Sequence, residues 1–382
     1  MHRPFSTNPR TLGAATALLV AVLAACGPPP TVSDGAALSA SPTALATPSA
    51  PPPTLASIRP DASVSPASDA PASAVWSRIE GAGEVPAPRE DHTWTVVGDG
   101  STALLFGGRD GATVHGDLWS YEFASDRWTP VETEGGPAAR FGHEALWVDG
   151  IGLVVFAGQA GATFFADLWA FDPATGAWEE LPSSGAVPTP RYGTCLAAGP
   201  DGRLWISHGF TSDGTRFADT RAWDPETGEW TDETPDGSVP VNRCLHGCWW
   251  TDDGAFVLFG GQTTGVTSLD DRWILRDGAW DRVEGSQPSA RNLYARARLE
   301  GATLVLGGQA LDGSYLSDGW WLVDGTDAAM PLAASGEPPP GRSGAELVVD
   351  LAADRLLLFG GRDGNAALAD VWQLDAVSAA RP

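Results

Sequence analysis

Residues 89–131 read REDHTWTVVGDGSTALLFGGRDGATVHGDLWSYEFASDRWTPV, and the pattern returns five more times before the chain ends. The stretch opens on Arg89. Its counterparts are Arg140, Arg191, Arg243, Arg291 and Arg342, at spacings of 51, 51, 52, 48 and 51 residues. An apolar run follows and closes on glycine: LLFGG ending at Gly108, VVFAG at Gly158, WISHG at Gly209, VLFGG at Gly261, LVLGG at Gly308 and LLFGG at Gly361. Beyond a polar loop comes an aspartate with tryptophan two places on: Asp117/Trp119, Asp167/Trp169, Asp271/Trp273, Asp318/Trp320 and Asp370/Trp372. The third copy keeps Asp219 but carries Arg221 in the tryptophan place. A second tryptophan closes four copies, at Trp128, Trp178, Trp230 and Trp280.

Within one copy, HTWTVV and TALLFGG are split by the turn GDGS, and DLWSYEF leads to a fourth short run at the second tryptophan. Strand-length runs of Val, Leu, Phe and Trp between Gly/Asp turns predict antiparallel strands. DPATG and DPETG are tight-turn chemistry, with proline presetting φ and glycine accepting positive φ. Four short strands per copy and six copies predict an all-β, six-bladed propeller, which closes on itself and leaves no long exposed edge. No stretch beyond residue 75 has sustained helical periodicity. The sixth copy reaches Trp372 and ends at Pro382 without a fourth strand. AVWSRI at the front supplies it: Trp76 precedes Arg89 by 13 residues, as Trp178 precedes Arg191. The N-terminal strand is therefore expected to close the last blade. A period near fifty with this content resembles kelch repeats, and the resemblance covers roughly residues 74–382.

Ahead of the repeats, Arg3 and Arg10, an apolar core from Leu12 to Ala25 and the ending LAAC resemble a bacterial lipoprotein leader. The expectation is a signal peptide over 1–25 and a lipidated Cys26. Residues 26–73 then form a disordered Pro/Ala/Ser/Thr-rich tether, too poor in large apolar residues to offset its ordering entropy. The chain would be exported and anchored to a bacterial membrane by lipid alone, in the periplasm or at the cell surface. All 23 basic residues are arginine, against 48 acids. Such an acidic chain repels nucleic acid.

Three cysteines remain beyond Cys26. Cys244 and Cys248 lie four apart along one predicted strand, too far to bridge. Cys195 and Cys248 occupy near-equivalent places in neighbouring blades and are a candidate disulfide. His92, His143 and His246 recur at one slot, the third residue after the arginine, and read as packing groups. No metal site or cofactor is assigned. The copper pattern of the galactose oxidases, another kelch-type family, cannot be aligned to the tyrosines and histidines present. No hydrolase, phosphate-loop or dinucleotide motif falls in a fitting context.

The loops after the glycine pairs and the entries before the arginines should share one face. That face carries Arg109, Gln159, Phe210, Gln262, Gln309 and Arg362 directly after the glycine pairs, with His115 and Tyr315 in the loops. Variable polar and aromatic groups on a rigid scaffold point to binding of a protein or glycan. Sialic-acid mutarotases share the kelch architecture, so the resemblance also implies a second class: a sugar acid held by Arg109 and Arg362. Glu90, Glu144 or Glu346 would then act as acid or base.

Overall fold

A computed structural model describes residues 74–80, 83–265 and 267–382. The leader, Cys26 and the whole of the tether lie outside them. The described chain forms six blade sheets in the arrangement of a six-bladed propeller, each built on four antiparallel strands, and the third and sixth carry a fifth, short parallel strand at the outer edge. In the first blade the strands are Thr93–Val97, Thr102–Phe106, Leu118–Glu122 and Arg127–Val131, ordered from the axis outward. Among the described residues the single α-helix is Val377–Ala380, and no helix is long and apolar enough to cross a membrane.

The second strand of each blade is apolar at nearly every position because neighbouring blades cover both its faces. Gly152–Phe156 is buried throughout, and such strands lose the alternation seen where one face meets water. The outermost strands show that alternation. In Arg127–Val131 only Trp128 is fully buried, and it packs against Trp94, Tyr121 and Phe359 of the adjoining blade.

The last blade is closed by the front of the chain. Ala74–Ile79 pairs antiparallel with Val371–Asp375, Trp76 opposite Leu374. On its other side it takes a short parallel strand, Ala334–Gly336. Trp76 is buried among Leu356, Leu358, Trp372 and Leu374.

The repeat arginines are the internal fasteners, each at most 4% exposed. In every blade Nε donates to the carbonyl two residues back, and Nη1 to the carbonyl of the first residue of the glycine pair. In five blades the fork also grips both oxygens of the repeat aspartate, as in Arg89–Asp117 at 2.8 and 2.9 Å. Arg291 reaches Asp318 through Nη2 alone and shares that nitrogen with Ser289.

Blade is joined to blade by closed circuits of backbone bonds. The second glycine of each pair donates to the carbonyl of the next blade's arginine, the sixth closing from Gly361 to Arg89. Nearer the axis, the second residue after each arginine donates to its equivalent in the preceding blade. That circuit runs through Asp91, Gly142, Gly193, Leu245, Leu293 and Gly344 and back to Asp91, at 2.8–3.1 Å. All six are left-handed, with φ between 50 and 63°. Glycine adopts that conformation freely, whereas Asp91, Leu245 and Leu293 hold it at a cost of about 1–2 kcal/mol each.

Removing the closing strand tests the clasp. A chain truncated to start at Gly83 loses burial of Trp76, about 1.5–3 kcal/mol, and a row of cross-strand hydrogen bonds. It should melt several degrees below one starting at Ser73, and equal melting temperatures in a thermal scan would show that the strand holds nothing.

Candidate functional site

The residue after each arginine bridges to the residue after the glycine pair: Glu90 with Arg109, Phe141 with Gln159, Tyr192 with Phe210, Cys244 with Gln262. Asn292 pairs with Gln309 and Ser343 with Arg362 in the same way. These bridges put the arginine entries and the post-glycine hairpins on one face, around the axis.

On that face the eight residues singled out from the sequence have unequal roles. Gln262 is 1% exposed and Phe210 6%, so both wall the mouth from within and neither reaches solvent. Gln159 Nε2 donates to the Gly161 carbonyl at 2.6 Å and Gln309 Nε2 to that of Gly313 at 3.4 Å, each bracing its own hairpin. His115 and Tyr315 are half-buried. Burial lowers the His115 imidazole, while burial and then the Glu90 charge raise the Tyr315 phenol. Arg109 lies 2.9 Å from Asp91 and 3.4 Å from Glu90, and Arg362 lies 3.1 Å from Glu90. The pair expected to hold a ligand's carboxylate is thus neutralised by acids of the chain itself. Desolvation and the neighbouring Asp91 push Glu90 up to about 6, against the pull of the two arginines.

Cys195 and Cys248 are joined in a disulfide across blades three and four, with Cα atoms 5.7 Å apart. Cys244 is buried, its thiol 3.7 Å from the Gln262 carbonyl. The histidines at the shared slot are buried and neutral. Burial drives His92 and His246 well below the usual imidazole range and His143 to about 3. His143 Nε2 meets Thr93 Oγ1 at 2.9 Å, and its ring stands edge-on to Phe106.

Below the mouth the inner strands enclose an axial cavity of about 50 Å³. Glu144 of blade two reaches across to Arg296 of blade five, Oε2 to Nη2 at 2.9 Å. Glu346 of blade six lines the same cavity. Desolvation raises the Glu346 carboxyl to about 8; Arg296 opposes this, while Glu144 and Asp91 add to it. Glu144 is also raised by burial and lowered by Arg296. The structure therefore brings together two of the three glutamates considered as acid or base, and leaves Glu90 at the rim. Arg296 was missed by the sequence reading. Its signal was there in ARARL, where arginine takes an inner-strand slot that holds Trp94, Ala145, Leu196, Cys248 and Leu347 in the other copies.

A family description of KLHDC2/KLHL20/DRC7 Kelch-repeats domains matches residues 70–261. The chain belongs to the kelch-repeat family. Among curated proteins, an F-box/kelch-repeat protein of Arabidopsis thaliana is 28% identical over 290 residues, 68% of this chain and 58% of that protein. Tip elongation aberrant protein 1 of Schizosaccharomyces pombe is 33% identical over 202 residues, covering 50% of this chain and 17% of that protein. tRNA wybutosine-synthesizing protein 4 of Emericella nidulans is 29% identical over 136 residues, covering 32% and 12%. The kelch chain thus spans between about an eighth and three-fifths of these relatives.

Glu346 makes the stability of the kelch ring pH-dependent. Its folded pKa lies above the unfolded value, so its contribution is whole below about pH 4.5 and is lost as pH rises through about 8. The buried histidines act in the opposite sense, and their contribution is lost only as pH falls below about 6.5. Between pH 6.5 and 9 the melting temperature should therefore fall. Glu346→Gln, which keeps the neutral form, should flatten that fall in pH-resolved calorimetry; an unchanged slope would place the titration elsewhere.

Proposed function

We propose that this kelch protein is an exported, lipid-anchored binding module that takes a protein partner on its mouth face. The observation that carries the reading is the set of six equivalent hairpins around one mouth. Their bases are paired alike while their lengths and chemistry differ: RDGATVH, QAGATFF, FTSDGTR, QTTGVTS, QALDGSY and RDGNAAL. Their tips are exposed on a scaffold fixed by buried fasteners, the arrangement by which rigid folds display recognition groups. The F-box/kelch relative has repeats of this kind in a longer protein. Export is supported by LAAC at 23–26 and by a disulfide, which persists in oxidising compartments.

Acid–base chemistry at the axis is a second reading, favoured by one observation: Glu346, raised to about 8, lies beside the Glu144–Arg296 pair. A sugar acid is larger than the 50 Å³ cavity, so it would lie across the mouth and point one group down. Anomer interconversion of sialic acid no faster than the spontaneous rate, followed by NMR, would eliminate this reading.

Two experiments test the binding reading. Cys26→Ser should leave the ring folded yet release it from membranes, and continued fractionation with membrane in detergent-free buffer would remove the anchor. A photocrosslinker at Leu311, 61% exposed on a mouth hairpin, should give a discrete protein adduct in cells. The same group at Leu351, 80% exposed on the turn at the opposite end of the blade, should not. Equal adducts from both positions would sink the choice of face, and an adduct sensitive to glycosidase would make the partner a glycan.

A further inference from the structure

The ion cluster that runs from Glu90 at the rim through Asp91 to Glu346 at the axis does not balance. Glu90, Asp91, Glu144 and Glu346 face Arg109, Arg296 and Arg362. That is four acids against three bases, so the fully ionised cluster is one positive charge short.

Asp91 makes the deficit local. It is 5% exposed and lines the cavity. In the axial circuit it holds a left-handed conformation that three of its five counterparts fill with glycine. Oδ2 meets Arg109 at 2.9 Å and the Tyr192 hydroxyl at 3.4 Å. Oδ1 has no hydrogen-bond partner among the described residues. It looks towards Gly344 of the neighbouring blade, where a β-carbon would stand only 2.7 Å from it, so the missing side chain keeps this oxygen clear. A buried carboxylate oxygen without a donor is costly, and it marks a place where a donor belongs.

We propose that the axial cavity binds a primary ammonium group, which supplies the missing positive charge and donates hydrogen bonds to Asp91 Oδ1 and the Glu346 carboxylate. The volume of about 50 Å³ suits a head of methylammonium size. Among the described residues no three His, Cys, Asp or Glu side chains are grouped closely enough to hold a metal ion. An ammonium needs separated acceptors and no coordination shell. Its source is either a free small amine or the lysine tip or amino terminus of a partner, and both present the same –NH₃⁺.

The proton balance follows. Before the amine enters, Glu346, raised to about 8, holds a proton; entry of R–NH₃⁺ leaves the ammonium beside an ionised Glu346 and passes that proton to solvent. The charged groups facing Glu346 are Arg296, Glu144 and Asp91. The other titratable groups lining the cavity, His92, His143, His246 and Tyr294, stay neutral: burial lowers the imidazoles and raises the phenol. Binding should therefore strengthen as pH rises from 6 to 8, by up to about tenfold per pH unit. This inference is independent of the face-binding reading, because methylammonium tests it with no partner present.

The test is isothermal calorimetry on the full chain, with methylammonium chloride and with an N-terminally acetylated tripeptide carrying a central lysine, its acetyl-lysine counterpart being blocked at the amino terminus in the same way. Each is titrated at pH 7 in two buffers of different ionisation heat, against potassium chloride and the acetyl-lysine tripeptide. The expected result is saturable binding of at least one amine with close to one proton released per site. Potassium and the acetylated peptide should not saturate. Glu346→Gln should abolish proton release and flatten the pH dependence, and Asp91→Asn should weaken binding at least tenfold. Glu346→Gln alone decides the matter if Asp91→Asn does not fold. Methylammonium binding without the lysine peptide identifies a free amine, and the reverse identifies a partner's lysine. No saturation by either amine, saturation without proton release, or equal saturation by potassium would overturn the proposal.

Discussion

The structure depends on a buried guanidinium held by a carboxylate. Each repeat arginine leaves water almost completely, so its donors must all be met, and the fold meets them from three places at once: its own entry, the end of the second strand and the start of the third. Taking one partner away would leave an uncompensated charge inside, a loss of about 3–5 kcal/mol. The aspartate in turn accepts the indole N–H of the tryptophan two places on, at 2.6–2.9 Å in five blades. The recurring Arg, Gly-Gly and Asp-x-Trp are therefore one hydrogen-bonded network. The third blade supports this. Arg221 stands where tryptophan stands elsewhere, and its Nε donates to Asp219 Oδ2 at 2.8 Å, replacing the indole donor like for like.

The fold was legible because this network needs its residue types at fixed spacing. The period, the strand breaks and the split last blade all follow from counting to the next arginine. The same regularity made the histidine slot readable as packing. The mouth was less legible. Its residues could be placed on a face, but not given an exposure or a partner, because both depend on how each hairpin folds back. Gln262 and Gln309 have the same place in their repeats, yet one is sealed and the other is half-open. Arg109 and Arg362 looked available for a ligand until Glu90 and Asp91 were seen beside them. The axial cluster was hardest to read. Glu144 and Glu346 stand four residues after their arginines and Arg296 five after its own, in blades two, six and five, and only ring closure makes them neighbours.

The axial circuit explains why certain departures from glycine are tolerated. A left-handed leucine costs energy locally, but every member of the circuit is both donor and acceptor to its neighbours, so none can relax alone. Leu245 and Leu293 also pack towards the mouth, Leu245 with Tyr192 and Phe210 and Leu293 against that cluster, which offsets part of the strain. Asp91 has no such packing to offset it. Its position is better understood through charge than through shape.

The disulfide has a further meaning once its place in the ring is considered. The only blade assembled from both ends of the chain is the sixth, and that is the natural fracture line. The Cys195–Cys248 bond sits almost diametrically across from it. A ring that opens at the fracture becomes a bow with two free arms, and damage can run inward along each arm only as far as the covalent bond. The arms cannot lose register with each other at that midpoint. Reclosure then becomes a search by two arms swinging about a fixed centre, in place of a search by a whole unfolded chain.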